Sequence, residues 1–184
     1  MIKIKELSLN ILDIVENSTK AGASLTEILI DECDEAMTII IKDNGCGMSE
    51  EILASVKNPF YTSRTTRKVG LGIPLFTLAA EQTGGTLTIE SRTADDFPTE
   101  HGTTVTATFY KNHLDFTPLG DIISTVVTII QGHCDRDFLF VHDLPDKQVM
   151  LDTREIREVL GDIPLSEFEV LTWIRENLSE QYKI

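Results

Sequence analysis

Cysteine is scarce in this chain: Cys33, Cys46 and Cys134 are odd in number, far apart and never spaced C-x-x-C. That excludes a disulfide framework or a paired-cysteine zinc site and fits a reducing compartment. Long apolar runs are missing too. The most hydrophobic stretch, residues 122–130, is interrupted by Ser124, Thr125 and Thr128, well short of the ~18 residues a bilayer span requires. The start of the chain, Met1-Ile2-Lys3-Ile4-Lys5-Glu6, has no apolar signal region. Positive charge is sparse: 16 Lys+Arg stand against 30 Asp+Glu, a net charge of −14. Such a surface repels phosphate backbones and anionic lipid, so neither nucleic acid nor membrane is an expected partner. The expectation is a soluble cytoplasmic protein. Common catalytic signatures are absent as well. His101, His113, His133 and His142 are isolated, and neither H-E-x-x-H nor G-x-S-x-G occurs. Each reads as a core-edge or surface histidine, with a functional role the minor alternative for His142 beside Asp143.

What is present is a chain of 184 residues, enough for one domain or for one domain with a small appendage. Residues 5–22 carry a helical period. Leu7, Ile11, Ile14, Val15 and Ser18 trace one face, and Glu6, Asn10, Asp13, Asn17 and Lys20 trace a polar stripe. Two β-branched runs, 25–33 and 36–43, read as a hairpin across Asp34-Glu35. Ser49 ahead of Glu50-Glu51 marks a helix start. Residues 57–68 have no period and read as a basic loop. A further helix opens at Gly70-Leu71-Gly72 and ends at Gly84-Gly85, followed by strands at 86–92 and 103–110. A boundary is expected near His113-Leu114-Asp115, giving units 1–113 and 114–184. The second unit reads as a helix over 118–131, strands at 138–142 and 148–151, and helices at 154–160 and 166–178. The order predicts an α+β fold, a two-layer sandwich with helices on one face of an antiparallel sheet and a small α/β extension.

Two segments carry the chemistry. In Leu12–Ala23, Asp13, Asn17 and Lys20 follow one another by a helical turn on one face. Asn17 offers a neutral oxygen suited to Mg²⁺. Asp13 is placed to orient or deprotonate a water near a terminal phosphate, and Lys20 to pair with a phosphate. Glu16 reads as a structural partner of Lys20, worth about 0.3–0.5 kcal/mol. In Asp43-Asn44-Gly45-Cys46-Gly47-Met48, a carboxylate on a glycine turn can accept the exocyclic amine of adenine. Standing alone, it would read as an ordinary hairpin turn. Met48 reads as core or as a wall of the adenine pocket. Gly70-Leu71-Gly72 opens a helix whose amides suit phosphate. Arg64, Arg67 and Lys68 just before it supply local positive charge.

Together these residues resemble the GHKL ATPase superfamily of gyrase, the heat-shock chaperone, histidine kinases and the mismatch-repair ATPase. Leu12–Ala23 is similar to its asparagine box in mismatch-repair wording, and Asp43–Met48 to its first glycine box. Asn58–Arg64, Gly70–Ile73 and Gly84-Gly85-Thr86 are similar to histidine-kinase wording, and Gly102-Thr103-Thr104 to the closing glycine element. The resemblance covers roughly residues 5–110. It implies a Bergerat-type sandwich binding ATP with Mg²⁺. Asn17 would be the metal ligand, Asp43 the adenine partner, residues 57–70 the lid, and Thr104 a further nucleotide contact.

Two departures bear on function. Asp13 stands where hydrolytic members carry the longer Glu. A displacement of about 1 Å at such a position can cost ~10²-fold in rate. About ten residues precede the asparagine box, so a self-phosphorylating sensor kinase is not expected. The expectation is a stand-alone regulatory ATP-binding protein that hydrolyses slowly and signals to an unidentified protein partner. The alternative is a serine kinase of the anti-sigma type. Homodimerisation is common among such relatives and is one expected state.

Overall fold

The computed structural model describes residues 6–57 and 72–183. Helix α1 (Leu7–Lys20) forms where the apolar period placed it, with Leu7, Ile11, Ile14, Val15 and Ser18 buried. It stops at Gly22, whose φ of 77° suits glycine. There Gly22 N donates to Thr19 O and Ala23 N to Ser18 O, a Schellman closure. Strands β1 (Leu25–Glu32) and β2 (Ala36–Asp43) form the expected hairpin with alternating burial. Helix α2 (Glu50–Lys57), helix α3 (Gly72–Gln82) and strands β3 (Thr86–Arg92) and β4 (Gly102–Tyr110) follow. Helix α4 (Ile122–Gly132), strands β5 (Asp137–Leu144) and β6 (Lys147–Asp152), and helices α5 (Thr153–Leu160) and α6 (Phe168–Lys183) complete the chain.

The six strands form one sheet in the order β3-β4-β2-β1-β5-β6. It is mixed, not antiparallel as predicted: β1 and β5 run parallel, from Leu25↔Asp137 to Asp31↔Asp143. A parallel neighbour requires a crossover, and α4 lies on that connection. The segment from residue 114 onward thus adds its two strands to the sheet of residues 25–110. It also shares the core, in which Leu7, Ile11, Phe109, Ile129, Phe138, Phe140, Ile174 and Leu178 are all buried.

The amino end of α1 shows how closely the two segments are joined. Its first amides have no helical partners. Leu7 N instead donates to Pro118 O at 3.0 Å and Ser8 N to Leu119 O at 2.9 Å. Helix α4 therefore begins four residues later than its period predicts, at an Asp121 N-cap. Among the described residues no helix is long and apolar enough to cross a membrane.

Candidate functional site

Asp43 ends β2 and is buried. A buried carboxylate must be hydrogen-bonded, and three donors converge on this one. Ser18 Oγ of α1 donates to Oδ2 at 2.8 Å, while Gly45 N and Thr103 N donate to Oδ1 at 2.9 and 3.3 Å. Helix, turn and β4 are thereby fixed to a single side chain. Oδ2, with one donor, retains capacity for a second.

The turn after Asp43 depends on missing side chains. A Cβ on Gly47, at φ 69°, would lie 1.9 Å from Arg92 O, and one on Gly102 1.9 Å from Asp43 O. A Cβ on Gly45 would meet Ala21 Cβ at 2.9 Å. Cys46 N donates to Ala21 O at 2.9 Å and Ala94 N to Cys46 O at 3.0 Å. Met48 N donates to Ser91 Oγ at 2.8 Å, and that hydroxyl lies 2.9 Å from Thr103 Oγ1. The ring of His101 donates from Nδ1 to Gly45 O at 2.6 Å. Asn44 faces away from this cluster, its Oδ1 accepting from Ser24 N and Leu25 N.

On α1, Asp13 and Lys20 are exposed and Asn17 is half-buried. Asp13 abuts the start of α3: a Cβ on Gly72 would stand 2.8 Å from Asp13 Cβ. Lys20 Nζ is a loose 3.9 Å from Glu16 Oε2, because Glu16 Oε1 is taken by His133 Nε2 at 2.7 Å. Ser18 sits on the same helix with its hydroxyl on Asp43, so helix α1 links the polar stripe to the glycine turn.

The structure therefore brings Asp43, Gly45, Gly47 and Met48 into one turn, places Gly72 against Asp13, and sets Asn17 and Lys20 along the adjoining helix. It does not bring Thr104 to them. Opposed residues share a sheet face, and Thr104 pairs with Lys42 and Glu90 while Thr103 pairs with Asp43. The residue on the Asp43 side is its neighbour Thr103. The basic loop and Arg64, Lys68, Gly70 and Leu71 lie outside the described residues. Ser18, Ser91, His101 and Thr103 were not singled out as site residues. For Ser18 a signal existed: a serine on a buried stripe needs a polar partner.

The family of histidine kinase-, DNA gyrase B- and HSP90-like ATPases matches residues 3–113. The chain belongs to that family. The match ends short of β5, so the last two strands of this ATPase fold lie beyond it. The DNA mismatch repair protein MutL of Aeromonas salmonicida is 28% identical over 93% of this chain and 27% of its own length. The tetrathionate sensor histidine kinase TtrS of Salmonella typhimurium is 29% identical over 46% of this chain and 14% of its own. The chain spans between 13% and 27% of the length of these and the other curated relatives it matches. Among solved structures, the Aquifex aeolicus MutL ATPase domain complexed with ADP superposes with a TM-score of 0.56 at 15% identity. The match covers 85% of this chain and 69% of that one. The N-terminal domain of a DNA repair protein gives 0.58 at 19% identity, covering 87% and 58%. These two likenesses concern the fold and extend it past β4 into the C-terminal segment.

Proposed function

We propose that this protein binds Mg-ATP at the Asp43 turn and serves as a regulatory ATPase-fold protein that hydrolyses slowly and reports to a protein partner. The observation that carries the reading is the Asp43 carboxylate: buried, held by three donors, with Oδ2 free for one more. That is the acceptor an exocyclic adenine amine needs, beside a turn where Gly45 and Gly47 admit a flat base against the backbone. Asn17 would hold Mg²⁺, which would neutralise phosphate charge on this acidic protein. Lys20, only loosely held by Glu16, would contribute to the same end. Asp13, exposed on α1 and abutting the start of α3, would orient the attacking water and accept its proton.

A titration of the full chain with Mg-ATP, followed calorimetrically, tests the reading. Saturable binding is expected for the wild type and a loss of at least tenfold for Asp43→Asn, with Asn17→Ala abolishing the Mg²⁺ dependence. Unchanged affinity in Asp43→Asn would sink the assignment. Single-turnover ADP formation then separates two outcomes. ADP from wild type but not from Asp13→Asn supports slow hydrolysis. Intact bound ATP supports the serine-kinase reading, which the short Asp13 side chain favours by keeping the terminal phosphoryl group for a partner.

A further inference from the structure

Glu16 and Lys20 lie one turn apart on α1, a spacing at which a glutamate and a following lysine ordinarily close on each other. Here they stay apart. Lys20 Nζ stands 3.9 Å from Glu16 Oε2, outside the roughly 2.7–3.2 Å of a hydrogen bond. The carboxylate is engaged instead by His133, which donates from Nε2 to Oε1 at 2.7 Å. Lys20, with 71% of its side chain exposed, forms no other ion pair among the described residues.

His133 stands on a braced corner between α4 and β5. It is the C-cap of α4, its N–H donating to Ile129 O, and its own carbonyl accepts from Arg136 N at 3.0 Å. Arg157 of α5 fixes the rest of the corner, donating to the carbonyls of Cys134 and Arg136 and to the Asp137 carboxylate. From this corner Arg136 donates to Ala23 O at 3.1 Å and Asp137 N to Ser24 O at 2.9 Å. The corner therefore grips α1 at Glu16 and the chain just beyond it at Ala23 and Ser24. A donor on such a frame holds a carboxylate at little ordering cost.

The consequence falls on a cation. This chain carries a net charge of −14, and a lysine closed on its own glutamate offers less to an anionic ligand. We propose that His133 is a positioning residue for Lys20: by holding Glu16, it keeps the ammonium group available to a nucleotide phosphate. The inference rests on the reading that Lys20 meets phosphate, and it names the part of the C-terminal segment that regulates that contact. His133 lies beyond residues 3–113, over which the family matches, so the site draws on a residue outside the matched region.

Calorimetric titrations of the full chain with Mg-ATP test this through coupled substitutions. His133→Ala, with its fold checked by circular dichroism, should weaken binding about twofold, which is what a closed Glu–Lys pair at this spacing is worth. Glu16→Gln removes the competing charge and should restore the affinity when added to His133→Ala. Alone, it should bind at least as tightly as the wild type. In a Lys20→Ala background, His133→Ala should change nothing further. A loss that survives either companion substitution would make His133 merely structural and overturn the proposal. So would unaltered affinity in His133→Ala, or weaker binding by Glu16→Gln alone. Wild-type protein that does not bind Mg-ATP would overturn the proposed function and this inference together, so the first titration tells the two failures apart.

Discussion

Ser18 shows what a single hydroxyl holds in place. Its Oγ bridges 25 positions of sequence to reach Asp43 Oδ2, a hydrogen bond to a charged group of the kind worth about 1.5–3 kcal/mol. Ser18→Ala should lower stability in urea by that amount and weaken nucleotide binding, because the carboxylate loses its tie to α1. The glycines divide sharply. Gly47→Ala forces a Cβ into the Arg92 carbonyl at positive φ, so it should lower the melting temperature and abolish binding. Gly132→Ala meets nothing within 4 Å and should be neutral or stabilising by up to ~1 kcal/mol, which thermal unfolding of the pair will read. The turn built by Asp43, Gly45 and Gly47 was legible as a turn because it is packed into five residues. Ser18, Ser91 and Thr103 were not, since their partners are remote in sequence. Thr103 and Thr104 take opposite faces of β4 because a strand alternates with period two, and only Thr103 pairs with Asp43.

At the scale of elements, periodicity located the helices and the hairpin, and only their ends shifted. Helix α4 is instructive. Its apolar period extends back toward Pro118, yet Pro118 and Leu119 give their carbonyls to α1, and the helix starts at Ile122 behind an Asp121 N-cap. Asp121 Oδ1 accepts from Ser124 N at 2.9 Å and Oδ2 from Ser124 Oγ at 2.6 Å. These bonds, the hydroxyl's first, hold its carboxyl below the ordinary value of 3.8. Asp121→Ala should cost about 0.5–2 kcal/mol, read by chemical denaturation at neutral pH. The sign follows from the lowered value: the stabilisation is present above pH 3.8 and disappears as acid protonates the folded group. The parallel β1–β5 pairing could not be read from local pattern, because both strands show the same alternating burial that antiparallel strands show.

Across the whole molecule, one polar network spans four regions. Buried His142 of β5 donates from Nε2 to Glu32 of β1 at 3.1 Å and takes the Tyr182 hydroxyl of α6 on Nδ1 at 2.8 Å. Lys111, just past β4, reaches the other oxygen of Glu32 at 2.7 Å. Burial pushes the His142 pKa below its ordinary 6.5, with Glu32 opposing in part. Below pH 6.5 the unfolded chain binds a proton that the folded chain refuses, so stability should fall as the pH drops from there toward the folded value. His142→Gln should flatten this slope in urea titrations at pH 7.5 and 5.5. An unchanged slope would remove His142 as its source. His142 is thus a buried structural histidine, and its partners Glu32 and Tyr182 on two other elements lay beyond the reach of sequence pattern.

The parallel pairing of β1 with β5 also sets a clock on synthesis. Leu25 faces Asp137, 112 residues further along, and ribosomes add about 5–20 residues each second. For roughly 5–20 s the nascent hairpin carries an unsatisfied strand edge. During that interval the emerging polypeptide is open to mispairing, and a chaperone that shields β1 would find its client there.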